Sequence, residues 1–281
     1  PTRRSSDLVY ENDKSSLARK KSSVSVLFKY LYRDQLIGRN ITDGFDPIRL
    51  PKAGEREIKA LQDDEVMRML DAVESGEGLT KSERNYWKKT KYRDKLILLL
   101  LVTYGLRLSE LQQLNLSSFN FDRGEFKVYR KRGKESIMPV NRTISAAYLD
   151  YISLERPPDD TLEPQHRDAL VLSLQNTRLT DRQIRQIVKK YTSIPLGTSR
   201  KRGYSPHKLR ATAATSLIGR GHSIYDVQEL MDHDHVTTTQ LYAAHKLNTK
   251  RELIKNFEWD EDSSETKDKK ERPEVSSKHD E

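Results

Sequence analysis

The feature that most restricts the fold of this chain is an uninterrupted run of seven apolar residues, Leu96 to Val102, in a sequence in which 33% of the residues are charged. The run is far shorter than the roughly 20 apolar residues that a helix needs to cross a bilayer. Its length indicates instead a helix that is buried inside a globular domain. We therefore expect a central helix from Tyr92 to Tyr104 that ends near Gly105.

Patterns on either side of this helix predict a mainly α-helical chain with one small antiparallel β-sheet, divided into two domains. Short segments of alternating or β-rich character, separated by turn-forming residues, occur at 119–121, 125–129 and 136–140. The polar stretch 75–91 predicts a loop that contains a short helix. Apolar residues recur at helical spacing in six further segments, namely 15–37, 61–73, 143–154, 181–191, 207–219 and 224–231.

The composition favours a polyanionic partner, and nucleic acid is the commonest one. The formal net charge is +9, although the tail 259–281 is rich in acidic residues, so the rest of the chain is more basic still. This tail is poor in apolar residues and is expected to be disordered. The absence of cysteine excludes disulfides, thiolate zinc sites and a cysteine nucleophile. No signal peptide is visible, which favours a cytoplasmic protein.

The first eight residues, Pro1 to Leu8, coincide with one reading frame of a widely used sequencing-adapter oligonucleotide. We expect them to be foreign to the protein and exclude them from the prediction of the fold. On this interpretation the natural N-terminus is missing.

Five residues that are spread along the sequence have side chains suited to one phosphodiester reaction. Two arginines can direct paired N–H donors at the oxygens of a phosphate, and two histidines can share protons with those oxygens. A tyrosine hydroxyl can attack phosphorus and store the bond energy in a covalent phosphotyrosine, so the reaction needs no metal or other cofactor. The five residues are Arg107, His207, Arg210, His233 and Tyr242.

The segment from Ser205 to His245, SPHKLRATAATSLIGRGHSIYDVQELMDHDHVTTTQLYAAH, together with Arg107 in TYGLRLSEL, resembles the motifs of the tyrosine recombinase or phage integrase family. The resemblance extends over most of the chain and is closest to Xer-like recombinases. It implies a site-specific DNA recombinase, with Arg107 and Arg210 as the phosphate clamp, His207 and His233 as proton-handling residues and Tyr242 as the nucleophile. Two positions depart from the family pattern: Ala211 stands where histidine is common, and Asp232 stands where glycine is common.

The resemblance also implies a lysine on a β-hairpin turn that acts as general acid toward the leaving 5′-hydroxyl. Lys131 aligns best with this residue, and Lys134 is the reserve candidate. For contacts with double-stranded DNA we select basic residues near the predicted amphipathic N-terminal helix, the hairpin turn and the second motif. They are Arg19, Lys20, Lys21, Arg130, Arg132, Lys134 and Lys208.

The same resemblance gives the expected domain organisation and assembly. Residues 9–57 are the C-terminal part of a truncated helical core-binding domain that clamps DNA, with a linker, and residues 58–258 are the catalytic domain. A homotetramer on a specific DNA site is expected, in which the apolar stripe of a helix from Lys246 to Phe257 docks on a neighbouring protomer. Packing of that helix on its own domain is the alternative.

Simpler interpretations of single residues remain open at this level. Arg107 and Glu110 can form an ordinary ion pair within one helix, and the basic hairpin can be only a solvated surface. The run Asp232 to His235 can be considered as a metal site, although ligands this close in sequence rarely converge. At the level of the whole chain, the alternatives are a type IB topoisomerase-like enzyme and a non-catalytic DNA-binding relative of the recombinases.

Overall fold

The computed structural model describes residues 14–49, 58–130 and 133–232. Its first element is α1, Lys14–Arg33, a single helix where the apolar spacing predicts either one long helix or a pair. None of the side chains of α1 is buried, and Leu27 is 53% exposed. Turns and extended chain follow as far as residue 49, as the glycine and proline pattern of this stretch predicts.

The rest of the described chain confirms the predicted fold class, which is mainly helical with a three-stranded antiparallel sheet. In chain order the elements are α2 Asp63–Ser75, α3 Lys81–Trp87, α4 Lys91–Tyr104, α5 Leu108–Gln112, β1 Phe119–Asn120, β2 Glu125–Tyr129, β3 Glu135–Pro139, α6 Arg142–Leu154, α7 Asp181–Thr192, α8 Pro206–Gly219 and α9 Ile224–Met231. The expected boundary between the two domains, between residues 57 and 58, adjoins the stretch 50–57, which lies outside the described residues.

The apolar run forms the centre of the fold, because α4 packs against α2, α6 and α8. Its residues from Leu96 to Leu101 are all buried. Burial of side chains of this size contributes about 1.5–3 kcal/mol each before the entropy of folding is subtracted. The helix therefore fixes the positions of its neighbours, including the short α5 that follows it.

The two ends of α4 are held by different means. At the N-terminal end, the carboxylate of Glu155 accepts hydrogen bonds from the backbone N–H groups of Tyr92, at 2.9 Å, and Arg93, at 3.3 Å. Burial raises the pKa of Glu155 to about 7 although these hydrogen bonds favour the charged form. At the C-terminal end, Gly105 adopts the left-handed conformation with φ +59° and its N–H donates to the carbonyl of Leu101.

A buried carboxylate links α4 to α7. Asp94 is fully buried and accepts hydrogen bonds from Arg93 at 2.7 Å, Lys190 at 3.0 Å and the hydroxyl of Tyr191 at 3.2 Å. Burial and the charge of Asp94 both raise the pKa of Tyr191. Because a buried charge is tolerated only when it is paired and hydrogen-bonded, these contacts fix the relative position of the two helices.

The sheet has the order β1-β2-β3 and packs on α4 through aromatic side chains. In β2, Phe126 and Val128 are buried, whereas the alternate residues Lys127 and Tyr129 are exposed. The ring of Phe126 meets the ring of Tyr104 edge-on, with 5.0 Å between the centroids. Strands β2 and β3 form a hairpin in which Phe126 pairs with Met138 and Tyr129 pairs with Glu135. Residues 130–134 connect the two strands.

The polar segment 75–91 contains the short helix that its sequence predicts. The N–H of Trp87 in α3 donates to the carbonyl of Val73 at 2.7 Å, and the guanidinium of Arg200 forms an ion pair with Glu83 at 2.9 Å. These contacts attach the segment to the protein body. Among the described residues, no helix combines the length and the apolar character that a membrane crossing requires.

Helices α8 and α9 pack against each other through small and apolar side chains, among them Ala214, Val227 and Met231. The C-terminal end of α9 reaches the turn after α4, where a Cβ on Gly105 would lie only 2.6 Å from the Cε of Met231. This close approach requires glycine in addition to the left-handed backbone. It brings α4, α8 and α9 together next to Arg107.

Candidate active site

Arg107 lies at the N-terminus of α5, where a buried carboxylate orients it. Glu110 is 3% exposed, and its two oxygens accept from the backbone N–H of Arg107 at 2.8 Å and from the guanidinium Nη1 at 2.7 Å. Glu110 thus supplies one half of a capping box, in which the side chain at N3 accepts from the N-cap N–H. The N-cap arginine has no acceptor and instead donates to the same carboxylate. The ion pair considered from the sequence is therefore present, and it fixes the direction of the guanidinium.

Arg210 lies on α8 and reaches the same place from another direction. It is 3% exposed, and its guanidinium donates hydrogen bonds to the carbonyl oxygens of Gly105 and Met231. Arg107 donates through Nη2 to the carbonyl of Asp232, which follows Met231 in the chain, at 2.7 Å. The structure thus brings Arg107 and Arg210, far apart in sequence, to one end of α9.

A third arginine joins them. Arg130 follows β2, and its guanidinium donates to the carbonyls of Leu230 at 2.9 Å and Met231 at 3.2 Å, and to Glu110 at 3.3 Å. The carbonyls at the C-terminal end of a helix carry partial negative charge and have no partner within the helix. Here three guanidinium groups satisfy them, and we call Arg107, Arg130 and Arg210 the arginine cluster.

Asp232 ends α9 in the left-handed conformation, with φ 50°. Glycine fits this conformation best, which accounts for the glycine common at this position in the family, and aspartate is among the few other residues that adopt it readily. The carboxylate lies 2.8 Å from the Nζ of Lys134 and 3.6 Å from the Nη1 of Arg107. The hydrogen bond from Lys134, together with the charges of Lys134, Arg130 and Arg107, lowers the pKa of Asp232 against the effect of burial.

His207 lies one helical turn before Arg210 on α8 and is an exposed residue. Desolvation, followed by the positive charges of Lys208 and Arg210, lowers the pKa of His207. A lowered pKa favours the neutral imidazole at neutral pH, and a neutral imidazole can accept a proton. The adjacent cations would also favour the ionised form of a nucleophile that approaches this face.

The other predicted site residues are distributed as follows. Arg19, Lys20 and Lys21 lie on α1, Lys208 on α8 and Lys134 at the end of the hairpin turn. Lys131, Arg132, His233 and Tyr242 lie outside the described residues, as does the segment from Lys246 to Phe257. No group of three or more side chains suited to a metal ion occurs within 14–49, 58–130 and 133–232.

Arg130 differs from its expected position at a DNA surface. The residue is 4% exposed, and its guanidinium faces Glu110 and the end of α9 rather than solvent. The sequence contains a signal for this position, because Phe126 and Val128 alternate on the inward face of β2 and Arg130 continues the same period of two. Because Arg130 is part of a run of basic residues, the sequence instead favours an exposed, DNA-binding position. Glu110 is the other member of the site whose role the motif alone did not reveal.

Comparison with known proteins agrees with this geometry. The model of the phage integrase family matches residues 59–249. Tyrosine recombinase XerC of Pelotomaculum thermopropionicum is 30% identical over 233 residues, which cover 82% of this chain and 70% of the relative. XerC of Natranaerobius thermophilus is 33% identical over 233 residues, with 82% and 72% covered. The chain therefore belongs to the phage integrase family and is a tyrosine-type site-specific recombinase.

Within the family, these relatives are Xer recombinases, as the sequence motifs indicate. Solved structures show the same fold at lower identity. XerH recombinase bound to its difH substrate is similar with a TM-score of 0.62 and 19% identity, over 86% of this chain and 65% of that one. The Tn1549 transposon integrase in complex with circular intermediate DNA gives a TM-score of 0.58 and 21% identity, over 86% and 78%. Neither the topoisomerase-like nor the non-catalytic alternative is favoured by these matches.

Proposed function

We propose that this recombinase cuts and rejoins duplex DNA at a specific site through a 3′-phosphotyrosine on Tyr242. The observation that carries the proposal is the convergence of Arg107 and Arg210 at the end of α9. The chain continues from there directly into His233 and, nine residues later, Tyr242. The two arginines, which can bind an anion, therefore meet at a point only about ten residues before the proposed nucleophile. Their chemistry also suits a reaction in which a tyrosine attacks a phosphate.

The roles of the individual residues follow from their chemistry. Arg107 and Arg210 bind the non-bridging oxygens of the scissile phosphate and stabilise the charge that develops on them. In the structure Arg107 donates to the carbonyl of Asp232 and to Glu110, and Arg210 donates to the carbonyls of Gly105 and Met231. A phosphate is a stronger, fully charged acceptor than these carbonyls for the same donors. His207 and His233 handle protons among these oxygens. Lys131 donates a proton to the leaving 5′-oxygen as Tyr242 attacks.

DNA is bound by basic residues on several elements in this proposal. Arg19 and Lys20 are exposed on α1, and Lys21 contacts the ring of Phe45 at 5.4 Å from its centroid. Lys134, Lys208 and Arg132 would act closer to the site. Support comes from the similar structures, several of which are recombinases or integrases bound to DNA. Such contacts predict binding that weakens steeply with salt.

We further infer that four protomers assemble on two DNA sites and exchange strands through a Holliday junction, with residues 246–257 docking on a neighbour. A similar fold is found in a lambda integrase tetramer bound to a Holliday junction, with a TM-score of 0.56 and 17% identity over 82% of this chain and 59% of that one. We also propose that the catalytic domain extends over 58–258, which the family match at 59–249 supports, and that 9–57 contain the C-terminal part of the core-binding domain and a linker. Deleting residues 246–281 should abolish assembly of the tetramer on DNA, and unchanged assembly would contradict this role.

The proposal is tested with a nicked suicide substrate, which traps the covalent intermediate because the short fragment beyond the cut diffuses away. The protein should form a covalent adduct, and mapping by mass spectrometry should place the DNA on Tyr242. Tyr242→Phe should bind DNA and form no adduct, and a chelator should leave the reaction unchanged. An adduct on another residue, or DNA binding without any adduct, would refute the proposed mechanism.

A further inference from the structure

Arg130 is a buried cation beside the candidate active site, and the roles proposed so far leave it without a function. It directly follows β2, and its side chain is fully enclosed, whereas the preceding Tyr129 is 45% exposed. Its backbone N–H donates to the carbonyl of Lys134 at 2.7 Å, which closes the hairpin turn. Lys131, the candidate general acid, is the next residue in this turn.

The guanidinium of Arg130 connects three parts of the site. Nη2 donates to the carbonyl of Leu230 at 2.9 Å, and Nη1 donates to Met231 at 3.2 Å. Nη1 also contacts both oxygens of Glu110, at 3.3 and 3.4 Å, and Glu110 in turn orients Arg107. One side chain thus joins the base of the lysine-bearing turn to the end of α9 and to the phosphate clamp.

These contacts determine how firmly the turn is held. A buried guanidinium without partners would be strongly destabilising, so its position is confined to the place where a carboxylate and the carbonyls of a helix C-terminus surround it. The planar group also fixes direction, since its donors form a rigid fork. Lys134, at the other end of the turn, is 67% exposed and is bonded to Asp232. The buried anchor of the turn is therefore at the Arg130 end, next to Lys131.

We propose that Arg130 is a positioning residue for general acid catalysis, which fixes the base of the β2–β3 turn against the end of α9 so that Lys131 reaches the leaving 5′-oxygen. The inference rests on the proposed function. In the step concerned, the Tyr242 hydroxyl passes its proton to His207, its oxygen forms a bond to phosphorus, and the bond from phosphorus to the 5′-oxygen breaks. The departing oxygen takes a proton from the Lys131 ammonium, and the DNA keeps a free 5′-hydroxyl.

A substrate with sulfur in place of the bridging 5′-oxygen isolates this role. A thiol has a pKa of about 8.5, so sulfur leaves as a thiolate and needs no proton from a general acid. Loss of the general acid, or of its positioning, therefore slows cleavage of the oxygen substrate but not of the sulfur substrate. A residue that only stabilises the fold, or only orients Arg107, affects both substrates alike.

The experiment measures single-turnover cleavage of both substrates by the full chain and by Arg130→Met. We expect the variant to cleave the oxygen substrate about 10- to 100-fold more slowly, which is at or below the usual contribution of a general acid. On the sulfur substrate it should approach the rate of the unmodified protein, as Lys131→Ala should. Arg130→Lys, which keeps the charge with fewer donors, should show the same pattern to a smaller extent and carries the test if Arg130→Met does not fold.

Arg178→Met provides a matched control. The Arg178 guanidinium likewise donates to backbone carbonyls, those of Gln112 and Leu114, at 3.0 and 2.9 Å, but it has no contact with the arginine cluster. Its replacement should affect the two substrates equally. The inference is overturned if the Arg130 variants are slowed equally on both substrates, or if Lys131→Ala is not rescued by sulfur. Failure of the unmodified protein to cleave either substrate would instead refute the proposed function.

Discussion

Replacing Asp232 with asparagine should increase the affinity of the enzyme for DNA. The carboxylate lies 2.8 Å from the Nζ of Lys134 and 3.6 Å from the Nη1 of Arg107. It therefore partly neutralises two cations that a DNA phosphate would otherwise contact. A phosphate that binds there must compete with this internal anion. Asparagine is close in size, tolerates the left-handed backbone at this position and removes only the charge.

The magnitude follows from the distances and the exposure. Two unit charges about 4 Å apart interact by about 1 kcal/mol in water and about 4 kcal/mol at the effective dielectric of a protein surface. Lys134 is 67% exposed and the side chain of Asp232 is 19% exposed, so solvent screening places the effect near the lower value. About 1.4 kcal/mol corresponds to a tenfold change in Kd, and about tenfold tighter binding is the expected result.

The salt dependence gives a second, independent quantity. Each additional phosphate that a protein neutralises changes the slope of log K against log salt by about −0.9, so release of one cation should steepen the slope by about that amount. Fluorescence anisotropy with a labelled duplex at several salt concentrations measures both quantities. Asp226→Asn on the same helix is the control, because it makes the same change in net charge at an exposed position. Equal effects of the two substitutions, or an unchanged slope for Asp232→Asn, would refute this reasoning.

Three further predictions concern the orientation of Arg107, the turn after α4 and the buried end of α4. Glu110→Gln should slow single-turnover cleavage by about 10- to 100-fold with a smaller effect on DNA affinity, because an amide cannot replace a charge-assisted hydrogen bond to Arg107; equal losses of affinity and rate would contradict this. Gly105→Ala should lower the melting temperature more than Gly124→Ala, since both have positive φ but only Gly105 has a neighbour within 4 Å of the added Cβ; the left-handed strain alone is about 1–2 kcal/mol. The pKa of Glu155 is raised to about 7 in the folded protein, so the stability that this carboxyl contributes is present at low pH and is lost as the pH rises through 7. Urea unfolding between about pH 5 and pH 8 should show a decrease of about 1–2 kcal/mol, and the decrease should be smaller in Glu155→Gln.

The sequence predicts the framework well where a local pattern determines the structure. The apolar run can only be buried, and α4 ends at Gly105 as its left-handed cap requires. The alternation in β2 and the turn residues on either side give the antiparallel hairpin with strand ends within one residue of those expected. The motif chemistry selects Arg107 and Arg210 before any geometry is known.

The remaining part of the site depends on contacts between elements that are distant in sequence. The position of Arg130 depends on how closely the end of α9 approaches the β2–β3 hairpin. No local sequence pattern predicts that distance. Glu110 is similar, because arginine is not a usual N-cap residue, so the sequence does not indicate that the carboxylate three residues later accepts from the N-cap N–H. Asp232 can be noted in the sequence as a departure from glycine, but its ion pairs with Lys134 and Arg107 appear only once the helix ends meet.

The three arginines of the cluster all depend on the position of the end of α9. Because the carbonyls of Leu230, Met231 and Asp232 accept from all three guanidinium groups, a small displacement of this helix end would deprive every one of them of a partner at the same moment. Substitutions along α9 that loosen its packing on α8 should therefore disturb the whole cluster together and never a single arginine. Such variants would resemble one another in their kinetic defects regardless of which apolar contact had been removed.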